Sequence, residues 1–241
     1  MVGIASWALA LPALAASPLA PALSDEEHAW IAQHPVVRVA TSADYGPFTF
    51  VENGVVRGMS IDYLERLHQL TGIEFKTEEP ASFQANLQRI GRGEVDLMMS
   101  LRDSPERRQL MSFTRSYVSV PAVLLRRRGA AQSAALEELR AGETVAVSAG
   151  YAVAAFMGER YPENPVITRP NDRALLLALA SGEVDAAVMD LAGVTYLMRT
   201  LGIGNVHIVG DVGLSYDLGI GYRRDWPVLG RILDKALARV D

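Results

Sequence analysis

The chain of 241 residues contains no cysteine, which excludes a disulfide framework and any metal site built on thiolates. Its four histidines do not show the spacing of metal ligands, so we expect no metal site. No phosphate-binding loop, complete dinucleotide fingerprint or nucleophile elbow occurs, and we predict no cofactor. The net charge of −5 argues against a nucleic-acid partner, because nucleic-acid phosphates attract basic surfaces.

A hydrophobic run long enough to cross a membrane is also missing. Residues 1–24 carry no charge, but the apolar run at 2–16 is only about 15 residues long, against about 20 for a spanning helix. A run of this length is typical of a secretory signal. We therefore predict a leader at residues 1–22 and export to the periplasm, with a buried helix or a one-sided membrane anchor as the alternatives.

The rest of the sequence has the composition of a globular protein, with 49% hydrophobic and 21% charged residues. Helical stripes and short apolar runs alternate along the chain, which predicts the α/β class. A helix followed by Gly-Glu-Val-Asp and an apolar strand occurs twice, at residues 87–97 and 176–188. This internal repeat suggests two similar α/β lobes. The strands of the two repeats end near Ser100 and Asp190, which we expect to face each other across a cleft.

Three segments carry residues suited to an anionic or zwitterionic ligand. Ser104-Pro105 predicts the start of a helix with Arg107 in its first turn, where a carboxylate would be favourable; a solvated arginine is the alternative. Asp190 precedes a predicted helix as either a ligand for an ammonium group or a plain N-cap. The backbone N–H groups that follow Gly150, beginning with Tyr151, are expected to be free for an anion. The basic run 126–128 is interpreted as a solvated linker face.

Taken together, these segments resemble the family 3 periplasmic solute-binding proteins, the amino-acid-binding Venus flytraps. The resemblance covers residues 36–241 and rests on the order and spacing of its motifs more than on any one of them. The motifs are VRVATSADYGPF at 37–48, Gly58 with Asp62, the GEVDLMMSL strand, SPERR, FTRSY at 113–117, and GEVDAAVMD in the second half.

The resemblance implies a two-lobed periplasmic binding protein of type II, with two crossing segments near Val120–Leu125 and Val212–Leu218. It makes Arg107 the clamp for the ligand carboxylate, and it places the Ser100 carbonyl and Asp190 beside the ammonium group. It also implies that Tyr45, Phe83 and the N–H groups starting at Tyr151 enclose the ligand.

Two positions depart from the family pattern. Arg102 stands where the family has a second serine, and Ser42 replaces an aspartate, although Asp44 lies two residues on. The additional cation suggests either a ligand with a second anionic group or an Arg102–Asp44 pair that closes an empty site.

The segment LSDEEHAWIAQHP, directly before the first strand, is similar to the start of flytrap domains in BvgS-like sensor kinases. The final helix, predicted to run through residues 226–241 without a stop signal, favours the same assignment. The predicted function is a non-enzymatic sensor domain that binds an amino acid or small carboxylate and signals by lobe closure to a membrane-embedded signalling domain. The alternatives are a transport-type binding protein that serves an ABC permease and, less favoured, a cyclohexadienyl-dehydratase-like enzyme. The expected division is an N-terminal helix at 23–35, lobe 1 at 36–120 plus 215–241, and lobe 2 at 121–213.

Overall fold

The computed structural model describes residues 20–129 and 139–240, and most of the predicted leader lies outside these ranges. The helices are α1 (Asp25–Gln33), α2 (Met59–Thr71), α3 (Phe83–Gly91), α4 (Ala152–Arg160), α5 (Asp172–Ser181), α6 (Leu191–Leu201) and α7 (Pro227–Leu237). The strands are β1 (Val36–Ala40), β2 (Asp44–Tyr45), β3 (Thr49–Glu52), β4 (Val55–Arg57), β5 (Glu74–Thr77), β6 (Leu97–Arg102), β7 (Met111–Phe113), β8 (Val118–Arg127), β9 (Val145–Ser148), β10 (Val166–Arg169), β11 (Ala186–Asp190) and β12 (Val206–Arg223). Among the described helices, none combines the length and apolarity that crossing a bilayer requires.

The main sheet has the strand order β10-β9-β11-β8-β12-β6-β1-β5, and β7 pairs with β12 beside it. The long strands β8 and β12 lie in its middle and pair antiparallel with each other. On either side of them lie parallel strands, β1 with β5 and β6 in one half and β9 with β10 and β11 in the other. The predicted crossing segments fall within β8 and β12. We propose the predicted division at these two strands as the boundary of lobe 1 and lobe 2.

Each half of the sheet has its own apolar core. Helices α2 and α7 cover the β1–β6 half, where Leu67, Ile232 and Leu233 are fully buried. Helices α5 and α6 cover the other half around Leu175 and Leu179. Full burial of one such aliphatic side chain contributes about 1.5–3 kcal/mol, so each half has a substantial core of its own.

Local sequence signals account for several element boundaries. Helix α1 begins with the predicted capping box, in which Ser24 and Glu27 each accept a hydrogen bond from the other's backbone N–H. The turn between β3 and β4 places Asn53 and Gly54 at φ +51° and +77°, as a type I′ hairpin turn requires. The hairpin belongs to a separate three-stranded sheet, β2-β3-β4.

Three local predictions are wrong. Ser104 does not start an α-helix: Arg107–Gln109 form a single 3-10 turn because β7 begins at Met111 and leaves no room for more. Arg126 does not lie on a solvated linker; it lies in β8, is 2% exposed, and is paired with Glu143 at 2.8 Å. The final helix ends at Leu237 rather than continuing through residue 240.

Candidate functional site

A cavity of about 140 Å³ lies between the two halves of the chain, where β1, β6 and β10 end. Its size is close to that of an engineered cavity of about 150 Å³ that admits benzene, so it suits a small molecule. Seven of the eight predicted binding residues line it: Asp44, Tyr45, Phe83, Ser100, Arg102, Arg107 and Tyr151. The carboxyl ends of parallel strands are where open α/β sheets bind ligands.

Ser100 forms part of the cavity wall in a strained backbone conformation. Its φ is +53°, which is unusual for a residue other than glycine. Its hydroxyl lies 2.7 Å from that of Ser60 and 2.8 Å from that of Tyr117, and its backbone N–H donates to the Tyr117 hydroxyl at 2.9 Å. Burial raises the pKa of Tyr117 to about 12, so this phenol stays protonated. A strained residue held by such a network is a frequent feature of binding sites.

The Arg107 guanidinium reaches from one side of the cavity to the other. Its Nη1 donates to the carbonyl of Arg102 at 2.6 Å, and its Nη2 donates to the carbonyl of Gly150 at 3.0 Å. The guanidinium carbon also lies 5.0 Å from the centre of the Phe83 ring. The side chain is buried, and burial lowers its pKa, although an arginine remains charged. Its described bonds go to carbonyl oxygens, so a ligand carboxylate would meet a cation that is already desolvated.

The Arg102–Asp44 pair that the sequence left open does not form among the described residues. Asp44 instead accepts a hydrogen bond from Asn171 Nδ2 at 2.6 Å. Arg102 lines the cavity as a second cation. The bond between Asp44 and Asn171 joins residues 127 positions apart and ties β2 to the start of α5.

Aromatic rings close the cavity from both sides. Tyr151 makes edge contacts with Tyr45 and Phe83, with ring centres 6.2 and 5.5 Å apart. The expectation that the Tyr151 N–H is free for an anion is wrong, because this group donates to the carbonyl of Ser148 at 3.2 Å. Tyr151 therefore presents its ring to the cavity rather than a free backbone donor.

Asp190 lies behind the cavity wall rather than on it. Its Oδ1 accepts the Gly193 N–H at 2.6 Å as the N-cap of α6, in agreement with the simpler of the two sequence interpretations. Its Oδ2 is buried without a hydrogen-bond partner among the described residues. Burial raises the pKa of this carboxyl, because a charged oxygen without a partner is costly to desolvate.

The sequence interpretation missed several cavity residues, among them the titratable residues Asp172 and Tyr216. Asp172 is the first residue of α5, and it accepts hydrogen bonds from the hydroxyls of Ser148 and Tyr151. Burial, and next the charge of Asp190, raise the pKa of Asp172 to about 7. The signal that could have identified Asp172 is its place directly after β10, at the same edge of the sheet as the other site residues. Although acids gather here, no group of three or more metal-ligating side chains in the described ranges is arranged to hold a metal ion.

Comparisons with known proteins identify a family and several relatives. The model of the bacterial extracellular solute-binding proteins, family 3, matches residues 37–241. The virulence sensor protein BvgS of Bordetella bronchiseptica is 30% identical over 219 residues, which cover 90% of this chain and 18% of that protein. The arginine-binding extracellular protein ArtP of Bacillus subtilis is 25% identical over 155 residues, 63% of this chain and 60% of that protein.

Among solved structures, the periplasmic VFT2 domain of Bordetella pertussis BvgS superposes with a TM-score of 0.86 at 28% identity, covering 92% of this chain and 94% of that one. This likeness confirms the predicted two-lobed Venus flytrap fold and the resemblance to BvgS-like sensors. The chain spans 18% of the length of the BvgS sensor protein that it matches.

Proposed function

The chain belongs to family 3 of the bacterial extracellular solute-binding proteins, and on that premise we propose that it is a periplasmic sensor domain that binds an amino acid or a related small carboxylate between its lobes. The observation that carries this proposal is the charge distribution around the cavity. Arg107 and Arg102 line the cavity from lobe 1 and Asp172 lines it from lobe 2, whereas a further charged residue there, the lobe 1 acid Asp44, is hydrogen-bonded to Asn171. A small molecule with opposite charges at its two ends fits this distribution.

Such a ligand contacts both lobes at once, and this coupling would drive closure. The contacts between the lobes include the hydrogen bonds from Arg107 to Gly150 and from Asn171 to Asp44, which exist only when the lobes are together. A bridging ligand adds contacts that the open form lacks and so shifts the population toward the closed form. Charge-assisted hydrogen bonds contribute about 1.5–3 kcal/mol each. Three or four of them, less the ordering cost, support micromolar affinity, or about −8 kcal/mol.

The signalling role is proposed from the likeness to BvgS. The chain is similar to a sensor protein, BvgS, and its fold matches the VFT2 domain of the Bordetella pertussis BvgS. These similarities support the proposal that the domain reports closure to a membrane-embedded signalling partner. The alternative, a binding protein that delivers its ligand to an ABC permease, is favoured by the likeness to the arginine-binding ArtP. Both alternatives share the same inter-lobe site, and binding without chemical conversion is the proposed activity in either case.

The test is a thermal-shift screen of the twenty standard amino acids and short mono- and dicarboxylates, on the wild type and two arginine variants. Arg107→Ala is expected to abolish every shift that the wild type shows. The matched control, Arg108→Ala, removes an exposed neighbour whose Nε donates to Asp103 at 2.8 Å, outside the cavity, and should retain the shifts.

Circular dichroism checks that both variants fold. The proposal fails if no compound raises the wild-type melting temperature, or if Arg107→Ala binds as tightly as the control.

A further inference from the structure

Asp172, which lines the cavity, and Asp190, which does not, form a pair of acids in one buried environment. Asp172 is 4% exposed and Asp190 is 2% exposed. The charge of Asp190 is the second-largest cause, after burial, of the raised pKa of Asp172. Two like charges in a space with little water oppose each other's ionisation, so one carboxyl of such a pair retains its proton to higher pH.

Two polar atoms, one in this acid pair and one in Tyr216, lack a hydrogen-bond partner among the described residues. Asp190 Oδ2 and the Tyr216 hydroxyl are both buried without a hydrogen bond in the described part of the chain. Tyr216 lines the cavity, and its pKa is raised by burial and then by the charge of Asp190. An unpartnered carboxylate oxygen and a phenol oxygen are acceptors for an N–H donor, and a cationic donor would suit them best.

Among the described residues, no cation forms an ion pair with Asp172. Its hydrogen bonds come from two neutral hydroxyls, those of Ser148 in β9 and Tyr151 at the start of α4. The charged and titratable groups that face Asp172 or line the same cavity are Asp44, Tyr45, Arg102, Arg107, Tyr151, Asp190 and Tyr216. Two other arginines on neighbouring strands pair elsewhere, Arg169 with Glu183 and Arg126 with Glu143.

We propose that a ligand carrying an ammonium group, on binding in this cavity, displaces a proton from Asp172 to the solvent, so that its affinity rises with pH around neutrality. This inference rests on the proposed function, because it concerns the same cavity and its ligand. The ammonium group brings a positive charge to the acid pair, which relieves the repulsion and favours the ionised form of Asp172. Below neutrality the ligand must first displace the proton, and its affinity is correspondingly lower.

The test is calorimetry with each of the twenty standard amino acids in phosphate at about pH 6 and about pH 8, and in both phosphate and imidazole at about pH 7, where about half of Asp172 carries a proton. For an amino acid that binds, the association constant is expected to rise about tenfold between about pH 6 and about pH 8, because ionised Asp172 goes from about a tenth to about nine tenths of the population. The difference in heat between the two buffers measures the protons released.

Three variants test whether Asp172 is the group whose ionisation makes the affinity depend on pH. Asp172→Asn should bind with an affinity that does not depend on pH and should release no proton. Asp190→Asn, which retains an N-cap side chain, should move the pH midpoint downward by removing the repulsion. Asp62→Asn makes the same chemical change at an exposed position on α2 and should behave as the wild type.

A ligand-free measurement accompanies the calorimetry. The carboxyl carbon resonance that is lost in Asp172→Asn is expected to titrate near neutrality in the wild type and to move to lower pH when a bound amino acid is added.

Failure of the inference and failure of the proposed function give different results. If none of the amino acids binds the wild type or Asp62→Asn at any pH tested, both the proposed function and the inference are refuted. If an amino acid binds with no pH dependence and no proton release, or takes up a proton instead, only the inference is overturned.

Discussion

Replacing Asp172 with asparagine is expected to stabilise the protein at neutral and alkaline pH and to have little effect in acid. Asparagine has nearly the same shape as aspartate and can still accept the Ser148 hydroxyl through Oδ1. It cannot ionise, so the variant avoids placing a negative charge beside Asp190 in a site that is 4% exposed.

The magnitude follows from the pKa of Asp172, which burial and then Asp190 raise from an ordinary 3.8 to about 7. Because each tenfold change in proton affinity is about 1.4 kcal/mol, the difference between these values amounts to about 4 kcal/mol. The folded protein retains the proton to higher pH than the unfolded chain does. The wild type therefore has its full stability below about pH 4 and loses it as pH rises through about pH 7. About 3 kcal/mol of that loss falls between about pH 5 and about pH 8.

Urea unfolding of the wild type, Asp172→Asn and the exposed control Asp62→Asn at the two pH values measures this difference. The advantage of Asp172→Asn over the control should grow by about 3 kcal/mol from the lower to the higher pH, or about 6–12 °C in melting temperature for a domain of this size. A constant advantage or deficit at both pH values would refute the reasoning, because it would mean that the Asp172 carboxyl does not titrate in this range.

Two further predictions concern the closed arrangement and the lobe 1 core. A Cβ added at Gly46 would lie 2.1 Å from the Tyr196 ring of the opposite lobe. Gly46→Ala should therefore hold the lobes apart and increase the radius of gyration in solution scattering. The control Gly204→Ala, whose added Cβ would have no atom within 4 Å, should leave the radius unchanged, and equal radii for the two variants would contradict the contact. Asp96 is 1% exposed and accepts hydrogen bonds from the Arg38 backbone and guanidinium at 2.7–2.9 Å. Asp96→Ala should therefore lower the free energy of unfolding by about 2–4 kcal/mol. The loss is at the lower end for a buried ion pair, because the partly exposed Arg38 can be solvated by water once Asp96 is removed. A loss below about 1 kcal/mol in urea unfolding would show that this buried pair does not stabilise the protein.

The sequence predicted local structure correctly where residues close together along the chain determine that structure. The capping box at Ser24 and the Asn53-Gly54 turn depend on residues only a few positions apart, and both form as predicted. The alternation of apolar runs and the repeated Gly-Glu-Val-Asp units likewise predicted the α/β class. Seven of the eight residues predicted to bind a ligand line one cavity, because strand ends that carry polar residues meet at one edge of the sheet.

The errors arise where a distant segment decides the outcome. Arg126 reads as part of a charged run, but its strand pairs on both sides with β11 and β12 and buries the side chain. Ser104-Pro105 is a common helix start, but the chain must form β7 at Met111 to pair with the distant strand β12, which leaves no room for a helix to extend. Burial and strand pairing of this kind depend on contacts between residues far apart in sequence.

The sequence by itself determined the kinds of element, their order, and the presence of a cation and an acid suited to a zwitterion. Only the tertiary structure decided which groups share an environment: that Asp172 lies beside Asp190, that Tyr216 lines their cavity, and that Arg107 reaches a carbonyl of the opposite lobe. The physical reason is that the charge, solvation and proton affinity of a side chain depend on everything within a few ångströms of it, and residues brought that close here, such as Asp44 and Asn171, are more than a hundred positions apart along the chain.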